Sequence, residues 1–345
     1  MKVLVTGANG HIGSHVVRQL LDQQHQVRAM VRKGSDLRGL DGLKPDFVYG
    51  DIMDEAAVMA AAEGCDAIIH MAAVYKTIAK TPEEIVEPAV KGAEIVFKAA
   101  AKHGIRRVVY TSSVASIGFS YSPTTFLTNH DWNNDATNPY YVAKTQSEKA
   151  AQRLAKEHGI HLVVICPAIV LGENDYRITP SNQLVMDWLN GKGQTYPGGL
   201  NLVDVRDVAA AHVAALTRGE NGHRYIVGGE NLEVKAIGEK LKRLTGIRPL
   251  YLPMGRGPTL VFARIVETLC KLIGVTPPFT YDLVFEAVGR YCFFDTRETE
   301  EVLQIKPRKA DESLRSAVDW LMKMNKLRPG VAAKIQNHPS GQGAT

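Results

Sequence analysis

The sequence has 345 residues, 45% of them hydrophobic, which is enough for one large domain or two coupled ones. Its formal net charge of +5 is spread along the chain and indicates no nucleic-acid-binding surface, and its four cysteines form no C-x-x-C or metal-binding pattern. Because no stretch reaches eighteen uncharged apolar residues and the first predicted strand begins at Lys2, we expect a cytoplasmic protein without a signal peptide or a stable membrane insertion.

The first residues of the chain predict a strand, a glycine-rich turn and the start of a helix. Residues 2–5 are a short apolar run, and Gly7, Gly10 and Gly13 follow at three-residue spacing. Glycines here allow a tight turn, a close approach of the backbone to a ligand, and close packing of the helix on the strand. The helix N-terminus then offers free N–H groups to an anion such as a pyrophosphate. The alternative is a plain tight turn without a ligand.

The glycine spacing in TGANGHIG resembles the phosphate loop of the short-chain dehydrogenase/reductase superfamily. This resemblance implies an α/β fold of the Rossmann type, with a doubly wound parallel sheet, and a nicotinamide dinucleotide as cofactor. The loop residues then expected to bind the cofactor are Gly7, Asn9, Gly10, His11, Ile12 and Gly13.

The second predicted strand, 26–31, ends in two cations, Arg32 and Lys33. An acidic residue at this strand end binds the adenosine ribose of NAD, whereas a cation accommodates the 2′-phosphate of NADP. The acid is missing here, so these cations, helped by Arg28 or Arg38, favour NADP (NADPH) over NAD. A solvated charge cluster is the alternative.

The third and fourth strands are predicted at 47–49 and 67–70. In the superfamily, an acid and an aliphatic residue after the third strand hold the adenine ring, which implies this role for Asp51 and Ile52. Small residues after the fourth strand let the cofactor lie on the strand end. The residues expected there are Met71, Ala72 and Ala73. We interpret His70, one residue inside the strand end, as structural rather than catalytic.

A long helix at 82–103 precedes the fifth strand, 107–110, which ends in Thr111, Ser112 and Ser113. Many superfamily members carry an Asn near the middle of this helix that holds a water for proton relay. The corresponding residue here is alanine, so we expect no such relay.

The stretch from Asn138 to Lys144 predicts a capped helix with two polar side chains on one face. Asn138 suits the N-cap and Pro139 the first helical position, while Tyr140 and Lys144 are four residues apart. A tyrosine hydroxyl has a pKa of about 10. A nearby ammonium and the positive end of the helix both favour the phenolate and thereby lower that pKa.

Together with the strand that ends in two serines, this helix resembles the catalytic Ser-Tyr-x-x-x-Lys set of the superfamily. The resemblance implies that Tyr140 supplies a proton and that Lys144 tunes its pKa and binds the cofactor ribose. It implies Ser113 as the catalytic serine, with Ser112 as the alternative, because the sequence does not settle the register of the pair. Thr111 is expected to contact the cofactor.

The sixth predicted strand, 162–165, leads into Cys-Pro-Ala-Ile-Val-Leu-Gly. Superfamily members have a Pro-x-x-Val stretch here that lines the nicotinamide and opens the substrate region. Pro167 and Val170 fit this stretch.

The residues 203–209, VDVRDVA, resemble the extended class of the superfamily, in which the chain leaves the nucleotide-binding domain and returns to it. We expect an NADP-binding domain at 1–172, to which 203–228 returns, and a smaller C-terminal substrate-binding α/β region mainly at 173–330. A disordered tail is predicted at 331–345.

Several elements are predicted within the C-terminal part. They are helices at 209–216, 232–244 and around 314–321, and a strand at 224–227. An apolar run at 259–273 carries Arg264, Glu267 and Lys271, so we favour a lid or core helix over a membrane anchor.

Within the extended class, the chain is most similar to the dihydroflavonol 4-reductase and hydroxysteroid dehydrogenase group. This similarity rests on three short segments: VRAMVR at 27–32, EPAVKG at 87–92 and Phe294-Asp295. It implies an NADPH-dependent reductase of an apolar ketone or aldehyde, without a metal. Sugar-nucleotide epimerases or dehydratases are the main alternative, but residues 198–202 lack the arginines that hold a substrate diphosphate. A non-catalytic NADP(H) sensor is the second alternative.

The superfamily often pairs two long helices, here 82–103 and 140–158, across a two-fold axis, which implies a homodimer. Six apolar residues serve either that interface or the sheet core: Ile95, Val96, Ala99, Ala100, Ala151 and Leu154. The specificity loops around Tyr75 and at 119–126 and 174–197 follow no transferable code, so the sequence does not name the carbonyl substrate.

Overall fold

The computed structural model describes residues 1–72, 83–134, 136, 138–275, 277 and 281–339. Within them, seven parallel strands form the main sheet. The strands are β1 (Lys2–Thr6), β2 (Gln26–Val31), β3 (Asp46–Tyr49), β4 (Ala67–His70), β5 (Arg107–Thr111), β6 (His161–Pro167) and, after two strands of a second sheet, β9 (His223–Val227). Their spatial order is β3-β2-β1-β4-β5-β6-β9, and every neighbouring pair runs parallel. The order reverses between β1 and β4, which is the switch point of a doubly wound sheet.

Helices cover both faces of the main sheet. They are α1 (His11–Asp22), α2 (Glu55–Ala62), α3 (Glu83–Lys102), α4 (Pro139–His158) and, after one helix of the second unit, α6 (Val205–Ala214). Helix α1 packs on α6, whereas α3 packs on both α2 and α4. The interior strands are almost wholly apolar because both faces of the sheet are covered. This arrangement is the α/β fold of the Rossmann type that the sequence predicts.

A second, smaller sheet lies beside the first, in the order β10-β8-β7. Its strands are β7 (Ile169–Leu171), β8 (Gly199–Asp204) and β10 (Glu230–Glu233), of which β8 and β10 are antiparallel. The helices of the C-terminal part are α5 (Pro180–Leu189), α7 (Val234–Thr245), α8 (Arg256–Leu272), α9 (Tyr281–Ala287), α10 (Arg297–Leu303), α11 (Ala310–Lys323) and α12 (Pro329–Gln336). Side chains of α5, α7, α11 and α12 share a second hydrophobic core with this sheet.

Three boundaries differ from the sequence predictions for physical reasons. The predicted disordered tail is wrong at its start, because α12 runs from Pro329 to Gln336 and buries Ile335 in the second core. Helix α7 begins at Val234 rather than residue 232, since the preceding residues pair with β8. Helix α6 begins at Val205, where the carboxylate of Asp204 accepts a hydrogen bond from a backbone N–H and caps the first turn.

Helix α8 is exposed along much of its length, and Ala263 is its one buried residue among those described. Its Ala263 packs against Val284 of α9 and Val288, the residue that follows α9. No helix among the residues described here is long and apolar enough to cross a bilayer.

The six apolar residues predicted for either a dimer interface or the core are all buried in the main core of one chain. They therefore belong to the core. Pairing of α3 and α4 across a two-fold axis stays a prediction.

Two glycines where β1 leads into α1 have no room around them for a side chain. Gly7 has a φ of +70°, and a Cβ on it would lie 2.9 Å from the backbone nitrogen of Ala72. A Cβ on Gly13 would overlap the carbonyl oxygen of Gly7. The N-terminus of α1 consequently sits tightly against the strand ends.

We predict that Gly13→Ala lowers the free energy of unfolding by about 1–3 kcal/mol, because the new methyl group forces α1 away from the turn. Gly330→Ala is the matched control, since a Cβ at this exposed position of α12 meets nothing within 4 Å. Urea unfolding of both variants and the parent measures the difference. A Gly13→Ala variant as stable as Gly330→Ala would contradict this packing.

Candidate active site

The predicted site residues converge on the carboxyl edge of the main sheet. The turn after β1 lies beside the end of β4, and β5 is the next strand along. Thr6, the last residue of β1, links the turn after β1 to the end of β4. Its Oγ1 accepts hydrogen bonds from the backbone N–H groups of Met71 and Ala72, both at 3.2 Å. Sequence reasoning missed this threonine. Ala73 lies outside the described residues.

His70 is buried at the end of β4 and lies within the fold rather than in a solvent-filled site. Its Nδ1 is 2.7 Å from Thr6 Oγ1, and its ring tilts against Tyr110 with centroids 5.5 Å apart. Burial, followed by the charge of Lys144, lowers the pKa of His70 to about 3. An imidazole that is neutral near pH 7 and hydrogen-bonded inside the fold fits the structural interpretation.

The phosphate loop is tied to the chain that follows β7. The Nε2 atoms of His11 and His15 lie 2.9 Å and 3.2 Å from the carbonyl oxygen of Glu173. Burial lowers the pKa of both histidines, that of His15 to about 4. The imidazole of His11 thus holds this connection, and Gly10 and Ile12 remain as backbone positions at the start of α1. Sequence reasoning missed this link because it joins residues more than 150 positions apart.

Arg32 and Lys33 are exposed after β2, as a 2′-phosphate site requires. The help expected from Arg28 is wrong, because its guanidinium binds Asp46 and the carbonyl oxygens at the end of α2. Arg38 stacks 4.6 Å above the ring of Tyr176.

The loop after β2 also contacts the phosphate loop. Arg38 forms a fork with Asp36 and holds the pKa of that carboxyl at about 2. Asn9 Nδ2 donates to the carbonyl oxygen of Asp36 at 3.0 Å. Asn9 thereby connects the two loops expected to bind phosphate groups.

The residues expected at the adenine ring lie after β3. The carboxylate of Asp51 is exposed and accepts a hydrogen bond from the backbone N–H of Met53 at 2.9 Å. Ile52 is half-buried and packs against the main core near Gly92 of α3. Their surroundings therefore offer one carboxylate and one apolar surface side by side.

Ser113, Tyr140 and Lys144 come together at the end of β5. Asn138 caps α4 by accepting a hydrogen bond from the backbone N–H of Tyr140 at 2.9 Å, and the Tyr140 side chain hydrogen-bonds Ser113. Lys144 Nζ donates to the carbonyl oxygens of Thr111 and Ser112, each at 3.4 Å. The structure therefore brings the three predicted catalytic side chains to one place.

The pKa values of this set differ from the simple expectation. Burial raises the pKa of Tyr140, and the hydrogen bond from Ser113 opposes the rise. Burial lowers the pKa of Lys144 to about 8, while Cys166 and Glu148 oppose the fall. The expected net lowering of the Tyr140 pKa is thus wrong for the protein alone, since burial outweighs the hydrogen bond from Ser113.

The sequence leaves open whether Ser112 or Ser113 is the catalytic serine, and the structure places the two side chains in different surroundings. Ser112 is buried, and its hydroxyl donates to the carboxylate of Glu148. Ser113 instead faces Tyr140 and accepts a hydrogen bond from the backbone N–H of Ala115 at 3.1 Å. Ser113 is therefore the serine whose side chain contacts Tyr140.

The remaining predicted cofactor residues occupy two different environments. Thr111 offers its carbonyl oxygen to Lys144, whereas its hydroxyl lies 2.8 Å from Nε2 of His212 on α6. Pro167 ends β6 and Val170 lies buried in β7, at the point where the chain passes from the main sheet to the second one.

The NAD dependent epimerase/dehydratase family matches residues 3–228, which span the main sheet from β1 to β9. This match covers more than half of the chain, so the protein belongs to that family. The resemblance to the extended dehydrogenase/reductase class is thereby confirmed.

Several relatives match most of the chain. It is 33% identical over 337 residues to a putative dihydroflavonol 4-reductase from Synechocystis sp., covering 92% of this chain and 93% of the relative. It is 36% identical over 256 residues to cinnamoyl-CoA reductase 1 from Arabidopsis thaliana, covering 68% of this chain and 74% of the relative. The crystal structure of gox2253 superposes with a TM-score of 0.82 at 28% identity, covering 94% of this chain and 99% of that one. The two curated relatives are reductases by name, in agreement with the expected class of enzyme.

Proposed function

We propose that the protein is an NADPH-dependent reductase of an apolar ketone or aldehyde, reversible as an alcohol dehydrogenase. The observation that carries the proposal is the hydrogen bond between Ser113 and Tyr140, with Lys144 one turn further along α4. The names of the relatives, dihydroflavonol 4-reductase and cinnamoyl-CoA reductase, support a carbonyl compound as substrate.

The residues at the switch point fit a dinucleotide. The close packing at Gly7 and Gly13 holds the N-terminus of α1 against the strand ends, where its free backbone N–H groups would bind a pyrophosphate. Arg32 and Lys33 would hold the 2′-phosphate, and Asp51 and Ile52 the adenine. Lys144 would hydrogen-bond the nicotinamide ribose. When bound, NADPH supplies the hydride for the carbonyl carbon.

Side chains of the protein orient and protonate the carbonyl oxygen of the substrate. The Ser113 hydroxyl donates a hydrogen bond to the carbonyl oxygen and orients it toward Tyr140. Tyr140 then gives its phenolic proton to the oxygen as negative charge develops there. The ammonium of Lys144 stabilises the phenolate that remains, because an adjacent positive charge favours the ionised form.

Aromatic side chains near the Ser113 turn support an apolar substrate. The chain that follows this turn carries Phe119 and Phe126, and Phe126 stacks on Phe293 with centroids 6.0 Å apart. The guanidinium of Arg290 is buried 3.6 Å above the ring of Phe119. An arginine stacked in this way favours the reductase over a sugar-nucleotide epimerase, whose substrate diphosphate requires accessible cations. The intact catalytic set also argues against a non-catalytic sensor.

We predict that Tyr140→Phe lowers kcat by about 100- to 10,000-fold, the usual contribution of a positioned proton donor. The Kd for NADPH should change by less than about threefold, because the ring is retained. The control is Tyr141→Phe, which removes the neighbouring hydroxyl and should keep kcat within about twofold. NADPH oxidation with a panel of ketones and aldehydes gives the rates. A Tyr140→Phe enzyme within a few-fold of the parent would show that another group is the acid.

We also predict that Arg32 favours NADP by about ten- to a hundredfold, which corresponds to charge-assisted hydrogen bonds of about 1.5–3 kcal/mol. Arg32→Asp should weaken NADPH binding by at least this factor and improve NADH binding, because the carboxylate repels the phosphate and accepts from a free ribose hydroxyl. Lys156→Asp makes the same charge change at an exposed position of α4 and should leave the ratio unchanged. A parent protein that binds NADH more tightly than NADPH would refute the assignment.

A further inference from the structure

A fully buried carboxylate, that of Glu148, contacts the turn that carries the proposed catalytic serine. Glu148 has no solvent exposure and follows Lys144 by four residues on α4, so both project from one face of the helix. Its Oε2 accepts hydrogen bonds from the hydroxyls of Ser112 and Ser116, the latter at 2.6 Å. These two serines flank Ser113, and both are buried.

Arg224 neutralises this carboxylate from β9, the edge strand of the main sheet. Its Nε donates to Glu148 Oε1, and one terminal nitrogen donates to Ser116 Oγ at 3.1 Å. The other terminal nitrogen donates to the carbonyl oxygens of Asn129 and Asp131, at 3.0 Å and 2.6 Å. Its guanidinium also stacks 3.7 Å from the ring centre of Trp132.

These contacts join the two chain segments that carry the catalytic side chains. The turn from Ser112 to Ser116 holds Ser113, and the loop that contains Asn129 and Asp131 leads into α4, which holds Tyr140. Lys144 donates to the carbonyl oxygen of Ser112. A displacement of Ser112 therefore moves both the hydroxyl that faces the phenol and an acceptor that orients the lysine.

We propose that Glu148 and Arg224 form a positioning pair that sets the distance between the Ser113 hydroxyl and Tyr140 and the orientation of Lys144. The inference deepens the proposed reductase and rests on the roles given there to those three side chains. A buried ion pair is by itself weak evidence for stability, because apolar residues of similar volume are often as good. The direction of the contacts is what indicates a positioning role. Apart from Cys166 Sγ, 4.0 Å from Glu148 Oε2, the partners of the pair lie in the serine turn or in the loop before α4.

The first test compares two variants with a matched control. Glu148→Gln removes the charge while retaining the shape, and Ser116→Ala removes only the hydroxyl that bridges the pair to the turn. Asp207→Asn is the control, since Asp207 is also buried and ion-paired, but with Arg308. We expect kcat to fall tenfold or more in Glu148→Gln and by a smaller factor in Ser116→Ala. KM for the carbonyl compound should stay within about threefold, and the control should keep kcat within about twofold.

The second test needs no turnover. The backbone N–H groups of Ser116, Ile117 and Gly118 bond to the carbonyl oxygens of Ser113 and Val114 within the turn. Hydrogen exchange of this segment should accelerate tenfold or more in Glu148→Gln and not in Asp207→Asn. If the parent reduces no carbonyl compound, the proposed function fails, while the exchange rates still decide whether the pair positions the turn.

Two results would overturn the inference. One is a folded Glu148→Gln or Ser116→Ala variant that keeps kcat within twofold and exchanges like the parent. The other is an equal loss of kcat in Asp207→Asn, which would assign the effect to general destabilisation. Should Glu148→Gln fail to fold, Ser116→Ala decides the question by the same measurements.

Discussion

The proposed cofactor site at the carboxyl edge of the main sheet depends on two glycines, Gly7 and Gly13, where β1 leads into α1. A Cβ on Gly7 would lie 2.9 Å from the nitrogen of Ala72, and one on Gly13 would lie 3.0 Å from the Cα of Ala8. Only this close packing places the N-terminus of α1 beside the end of β4, where the strand order reverses. Because β5 is the next strand, the proposed anion site and the proposed proton donor share one edge of the sheet.

Burial governs the chemistry of that edge. Low solvent access raises the pKa of Tyr140 and lowers that of Lys144 to about 8, so both groups are driven toward their neutral forms. The negative charge of Glu148, one turn from Lys144, acts in the opposite direction and favours the ammonium. The buried network beneath the serines therefore combines two effects, since it fixes the geometry of the turn and supports the charge of the lysine.

The parts of the site that the sequence predicts are those that depend on local spacing. The glycine turn and the Tyr140–Lys144 pair can be predicted from the sequence because each lies within one turn or on one helix face. The choice between Ser112 and Ser113 was not, since it depends on a carboxylate 36 residues further along the chain. The pairing of Glu148 with Arg224 spans 76 residues, so no local pattern in the sequence indicates it. Helix α12 was missed because composition alone does not show that Ile335 has a core to enter.

The most direct test of the account follows the hydride itself. Deuterium is placed at C4 of the nicotinamide of NADPH, in each of its two diastereomeric forms, and the product of a reduced ketone or aldehyde is analysed by mass spectrometry. The account predicts that one of the two forms delivers a single deuterium to the carbinol carbon, with one NADP⁺ formed per product. Turnover without label in the product and without net NADP⁺, as an epimerase that regenerates its cofactor would give, would contradict it.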